Sequence, residues 1–103
     1  MDDAQRQVAA FVEEYGLETP PAFRLLDLVS EVGELAKDAN VSTDYGDDPA
    51  ALELSSDEVG DALFALLALA DDLEIDADAA LEEALEKYEQ RMDGGSDAPG
   101  SGR

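Results

Sequence analysis

The strongest chemical signal in the chain is a pair of short acidic steps, Glu31-Val32-Gly33-Glu34 and, after 23 intervening residues, Glu58-Val59-Gly60-Asp61. On a helix, residues three apart share a face with Cβ atoms roughly 5 to 6 Å apart, so each step presents two carboxylates to one point. Like charges so placed cost a helix about 0.2 to 0.5 kcal/mol unless something compensates. A divalent cation would. The chain contains neither Cys nor His, which removes thiolate and imidazole ligands and leaves oxygen donors, a set that suits Mg²⁺ or Mn²⁺ far better than Zn²⁺.

Each pair also has an ordinary explanation. Asp27, Glu31, Glu34 and Asp38 fall on one helical face opposite Phe23, Leu26, Val29 and Ala36, which by itself reads as a solvated surface. Ser55-x-x-Glu58 fits a capping box, and an acid in a first helical turn also favours the helix dipole. Asp61 lies beyond that turn. It continues with Glu58 along a helical line to Ala65 and Ala68, in a segment apolar on every side, where an unpaired carboxylate is costly to desolvate or titrates to neutral. Gly33 and Gly60 each cost a helix interior about 1 kcal/mol relative to Ala, and close packing of two helices is the expected reason to carry both.

A third feature is cationic. Lys87 and Arg91 stand four residues apart and share a helical face. One reading is a local ion pair from Glu83 to Lys87, worth about 0.2 to 0.5 kcal/mol. The other is a phosphate contact, for which an otherwise anionic protein needs a cationic patch.

The whole chain carries 27 acidic and 6 basic residues, a net charge of −21. Such a balance argues against binding a nucleic-acid polymer or an anionic membrane. Acids spread along the entire length, with only two Lys, have the look of a halophilic source, where salt screens the self-repulsion. Most of the acids are then solvated surface, and acidity alone assigns no function. The start Met1-Asp2-Asp3 lacks the basic opening of a signal peptide and the longest apolar run, Ala62 to Ala70, is too short to span a bilayer. The expected location is the cytoplasm.

The elements that must position these residues are all helical. Val8, Phe11, Val12 and Tyr15 recur at helical spacing over Asp3 to Tyr15, and Gly16 is placed to stop that helix. Thr19-Pro20-Pro21 supplies a capping residue and first-turn prolines for a second helix running to about Ala39. Asn40 to Leu54 reads as a long loop with one short turn near Pro49 to Leu52. Ser55-Ser56-Asp57-Glu58 opens a third helix, to about Leu73, expected to be the most buried. Ala77, Leu81, Ala84, Leu85, Tyr88 and Met92 form the stripe of a fourth. The fold class is all-α, a single domain over residues 1–92, followed by a Gly-, Ser- and Asp-rich tail, 93–103, expected to be disordered.

The strings Ser30-Glu31-Val32-Gly33-Glu34-Leu35-Ala36 and Asp57-Glu58-Val59-Gly60-Asp61-Ala62-Leu63-Phe64 resemble the two blocks of the MazG-like, all-α nucleotide pyrophosphohydrolase family, and Lys87 with Arg91 resembles its downstream basic helix. The resemblance implies a four-helix bundle that assembles with a second subunit, as a homodimer or a dimer of dimers. It implies Mg²⁺ held by Glu31, Glu34, Glu58 and Asp61, and cleavage of a nucleoside triphosphate between its α and β phosphates to give a monophosphate and pyrophosphate. Glu34 is the expected acceptor of the attacking water's proton, Lys87 and Arg91 the expected phosphate contacts, and Phe11 and Phe23 candidates to bound the base. Two rival readings remain at this level: the sister hydrolysis of phosphoribosyl-ATP, and a non-enzymatic acidic helical interaction module, which would need a one-sided anionic face and no Mg²⁺.

Overall fold

A computed structural model describes residues 2–94, in which α1 (Asp2–Glu14), α2 (Pro21–Ser42), α3 (Ser56–Asp72) and α4 (Ala77–Gly94) are joined by short links and one 3₁₀ turn, Pro49–Ala51. There is no strand among the described residues. Asp93 and Gly94, the first two residues of the expected tail, are helical, and its remainder, 95–103, lies outside the described residues.

Local chemistry sets the helix ends. Gly16, at φ +63°, closes α1 with paired bonds from Gly16 N to the Glu13 carbonyl and from Leu17 N to the Val12 carbonyl, at 3.3 and 2.9 Å. Only a residue tolerant of the left-handed region makes this reversal without strain. Thr19 does not cap α2. Pro20 occupies the cap position in an extended conformation and no side chain bonds there; Pro21 has no N–H to satisfy, which lessens the need for a cap. α2 runs one turn past the expected Ala39, to Ser42, and stops where Thr43 bonds the Ala39 carbonyl through both its N–H and its Oγ1. The remaining loop reverses through Asp44 and Tyr45, both at positive φ.

α2 and α3 form the principal packed pair, and α1 lies across α3. The buried apolar centre is small, consisting of Val12, Ala65, Leu67 and Ala68. α3 supplies three of these four, as its all-round apolar character predicts. Phe11 meets Phe64 edge-on at 6.0 Å and Tyr15 at 4.7 Å between ring centroids. Two buried polar side chains fasten the helix ends. Arg24 donates from Nε to Asp72 Oδ2 at 3.3 Å and from its terminal nitrogen to the Leu17 carbonyl at 2.7 Å, so the α1–α2 link, α2 and the end of α3 share one guanidinium. Gln5 does the same for the α3–α4 turn, donating to the Ile75 carbonyl at 2.7 Å and accepting from Ala77 N at 2.8 Å.

The close helix approach expected at Gly33 and Gly60 is absent: a Cβ placed on either would meet nothing within 4 Å. Gly60 instead lines an apolar groove between α1 and α3, about 390 Å³ in volume. The radius of gyration, 16.7 Å, exceeds the roughly 13 Å of a compact 100-residue domain, and α4 packs only sparsely on α1 and α3.

Candidate metal centre

The acidic stripe of α2 is only partly turned to solvent: Asp27 and Glu34 are exposed, whereas Glu31 and Asp38 are half-buried. Arg24, Leu28, Glu31, Leu35 and Asp38, at successive three- and four-residue steps, are buried or half-buried, whereas Phe23, Leu26 and Val29 are each more than half exposed. The expectation of a solvated acidic face opposite an apolar inner face therefore fails at Glu31 and Asp38, which turn inward with Leu28 and Leu35, and at Phe23, Leu26 and Val29, which turn outward. The cause is the partner: α3 presents the line Glu58, Asp61, Ala65, Ala68 and Asp72, of which the two alanines are buried, and its small side chains leave room for the long polar ones of α2.

Two contacts give the register. Arg24 pairs with Asp72 at one end, and Asp38 stands within proton-sharing reach of Glu58 at the other. Both fit one antiparallel alignment, in which Glu34 comes level with Ala62, next to Asp61, and Glu31 level with Ala65. The two acid steps thus lie across the same helix–helix seam. Glu31 and Glu58 are half-buried, and Glu34 and Asp61 are exposed at its mouth.

Glu58 carries the clearest sign of an incomplete environment. Its Oε1 is buried without a hydrogen-bond partner. The proton-sharing contact with Asp38 raises its pKa first, then its own desolvation, then the charges of Asp38, Glu34 and Asp57, which together push it to about 7. The capping box is not what occupies it: Ser55 Oγ accepts from Asp57 N at 3.1 Å, and Glu58 Oε1 bonds nothing in return. A buried carboxylate oxygen lacking a donor, among further carboxylates, is what a hard cation would satisfy, and every donor present is oxygen. The residues fit Mg²⁺ or Mn²⁺ in kind. Among the described residues no three acidic side chains converge to metal-holding geometry. Asp38 joins this seam although its sequence position, outside both acid-x-Gly-acid steps, placed it on a solvated face; its four-residue offset from Glu34 was the available signal.

Lys87 and Arg91 are brought together, though not to the acids. Lys87 Nζ lies 5.2 Å and the Arg91 guanidinium carbon 5.9 Å from the centre of the Tyr88 ring. Glu83 makes no ion pair with Lys87, so the local-pair reading fails. Phe11 lines the α1–α3 groove beside Gly60, whereas Phe23 projects from the outer face of α2. No helix among the described residues is long and apolar enough to cross a membrane.

Comparison with known proteins gives the family. The MazG nucleotide pyrophosphohydrolase domain matches residues 21–95, spanning both acid steps and the cationic pair. The uncharacterised protein YpjD of Bacillus subtilis (strain 168) is 31% identical over 97 residues, covering 88% of this chain and 85% of its own. The crystal structure of the same Bacillus subtilis protein, described there as a candidate pyrophosphatase, superposes with a TM-score of 0.70 at 30% identity, over 85% of this chain and 91% of that one. The chain belongs to the MazG nucleotide pyrophosphohydrolase family.

Proposed function

We propose that this chain hydrolyses nucleoside triphosphates between the α and β phosphates, releasing a nucleoside monophosphate and pyrophosphate, with Mg²⁺ held by Glu31, Glu34, Glu58 and Asp61. The observation that carries this reading is at the α2–α3 seam: Glu31 and Asp38 of α2 are turned toward it, and Glu58 Oε1 is buried there without a partner. A bound Mg²⁺ supplies neutralisation of the phosphate oxygens and a more acidic water. Glu34, exposed at the mouth of the seam, is the one of these four that also takes the proton from the attacking water. Asp38, which stands beside Glu58 and raises its pKa, holds it in place. Lys87 and Arg91 bind the anionic chain of the substrate, countering a protein of net charge −21 that would otherwise repel it. The apolar groove beside Phe11 offers the base a dry wall. The apolar outer face of α2, with Phe23, Leu26 and Val29, is read as the surface that meets a second subunit.

The test is pyrophosphate release from a panel of canonical and modified triphosphates, with and without Mg²⁺, in high salt. Glu34→Gln and Asp61→Asn are expected to abolish release while circular dichroism shows unchanged helix content. Full turnover by both variants would overturn the site.

A further inference from the structure

Nothing within the chain accounts for Gly60. Glycine disfavours a helix interior more than any residue but proline, and Gly60 lies inside α3. Its φ is outside the left-handed region that favours glycine, and a Cβ there would meet nothing within 4 Å. The remaining use of a bare backbone is the close approach of a ligand. Gly60 stands in the wall of the α1–α3 groove, about 390 Å³, beside Val8 and Phe11 of α1 and Leu63 and Phe64 of α3.

Position on the helix joins this groove to the acids. Gly60 immediately precedes Asp61, so the two face directions about 100° apart around α3. Asp61 is exposed at the mouth of the seam. With no side chain at position 60, a substrate passing from that mouth into the groove runs close to the Cα cylinder, about 2.3 Å in radius, rather than around the roughly 5 to 6 Å radius of a helix with side chains. The shorter arc is one that a ribose can bridge. Aromatic and aliphatic walls suit the faces of a heterocycle. Gln7, which is exposed, is the one groove-lining side chain among the described residues that can hydrogen-bond, and its amide both donates and accepts.

We propose that two residues set the base specificity of this groove: Gly60, whose missing side chain admits the nucleobase against the backbone of α3, and Gln7, whose amide reads the hydrogen-bonding edge of that base. Continuity of the groove with the acid mouth at Asp61 selects this occupant. The proposal rests on the preceding assignment of the acids to triphosphate hydrolysis. Its chemistry is specific at Gln7. A glutamate in its place only accepts, so the amino groups of cytosine and adenine keep a partner while the carbonyl that uracil presents at the matching position meets a negative charge.

Steady-state pyrophosphate release with Mg²⁺ tests both residues. Gly60→Ala is expected to raise KM for nucleoside triphosphates about tenfold with kcat nearly unchanged, and Gly60→Leu to raise it further, since one methylene in a substrate pocket is worth roughly 10- to 200-fold. Should Gly60→Leu fail to fold, Gly60→Ala, which the helix favours, decides. In thermal-shift titrations with Mg²⁺, the α,β-methylene analogue of cytidine triphosphate should stabilise Gly60→Leu less than the wild type, whereas inorganic tripolyphosphate, which carries no base, should stabilise both equally. Gln7→Glu should lower the kcat/KM of uridine triphosphate relative to cytidine triphosphate by about tenfold. An unchanged KM in the folded Gly60 variants, beside a wild type that releases pyrophosphate, would overturn the proposal and leave the acid site standing. Equal loss of tripolyphosphate and nucleotide binding would do the same. A changed oligomeric mass by light scattering, with KM unaltered, would give the groove to a second copy and likewise overturn it. An unchanged uridine-to-cytidine ratio would overturn the role of Gln7. Absence of pyrophosphate release by the wild type from every triphosphate would instead overturn the underlying hydrolysis, and this proposal with it.

Discussion

Glu58 is where acid–base chemistry and stability meet. Its pKa, raised from 4.5 to about 7, means that the folded chain holds this proton more tightly than the unfolded one. Its contribution to stability is complete below pH 4.5 and is lost as pH rises through 7. Glu58→Gln removes the titration. In chelator-treated buffer the melting temperature of the wild type, relative to Glu58→Gln, should therefore fall steadily between those two pH values and level off above. Adding Mg²⁺ above pH 7 should raise the melting temperature of the wild type more than that of the variant, since only the wild type offers the charged oxygen. An unchanged difference across this range, read by differential scanning fluorimetry, would remove Glu58 from the seam. Asp38 enters the same experiment as the neighbour whose replacement by Asn should lower the Glu58 midpoint, because it heads the causes of the shift.

At the scale of elements, the positions of α1, α3 and α4 depend on two buried polar side chains. Gln5 satisfies one carbonyl and one N–H on opposite sides of the α3–α4 turn, and Gln5→Ala would strand both in a part-buried setting. The expected loss is on the order of 1 to 3 kcal/mol, the usual cost of leaving such groups unpaired. It should appear as a lower melting temperature and as faster amide exchange in the first turn of α4, with α2 and α3 unaffected. Gly33 and Gly60 pose the opposite case. With nothing within 4 Å of an added Cβ, Gly33→Ala should stabilise α2 by up to about 1 kcal/mol through helix propensity. Reduced stability in that variant would indicate a neighbouring chain against Gly33.

The whole molecule is set by two opposing features, a charge of −21 and a sparse apolar centre. Repulsion among exposed carboxylates acts over about 10 Å at 0.1 M salt and only about 3 Å at 1 M. The chain should therefore gain melting temperature and contract as KCl rises from 0.1 M to 2 M, measured by calorimetry and small-angle scattering. A charge-neutral solute such as sucrose at matched osmolality should not reproduce the full effect. If it does, excluded volume rather than screening governs the fold.

Much of this protein was legible from residue order. Periodicity places all four helices, Gly16 ends α1 as its left-handed tolerance requires, and the turn at Pro49 lies where proline and small residues put it. These features arise within a few residues of the chain, where propensity and hydrogen-bond geometry decide. The acid steps and the cationic pair, with their order and spacing, likewise pointed to the family by themselves. The direction in which a face points was a different matter. A helix with acids on one side and Phe23, Leu26 and Val29 on the other looks ordinary, and periodicity alone assigned the acids to water. Only packing against the small residues of α3 turns Glu31 inward, adds Asp38 to the seam, leaves Glu58 Oε1 without a donor and opens α4 away from α3. Those outcomes depend on which surfaces meet across tens of residues, a choice made by long-range burial and charge that no local pattern contains.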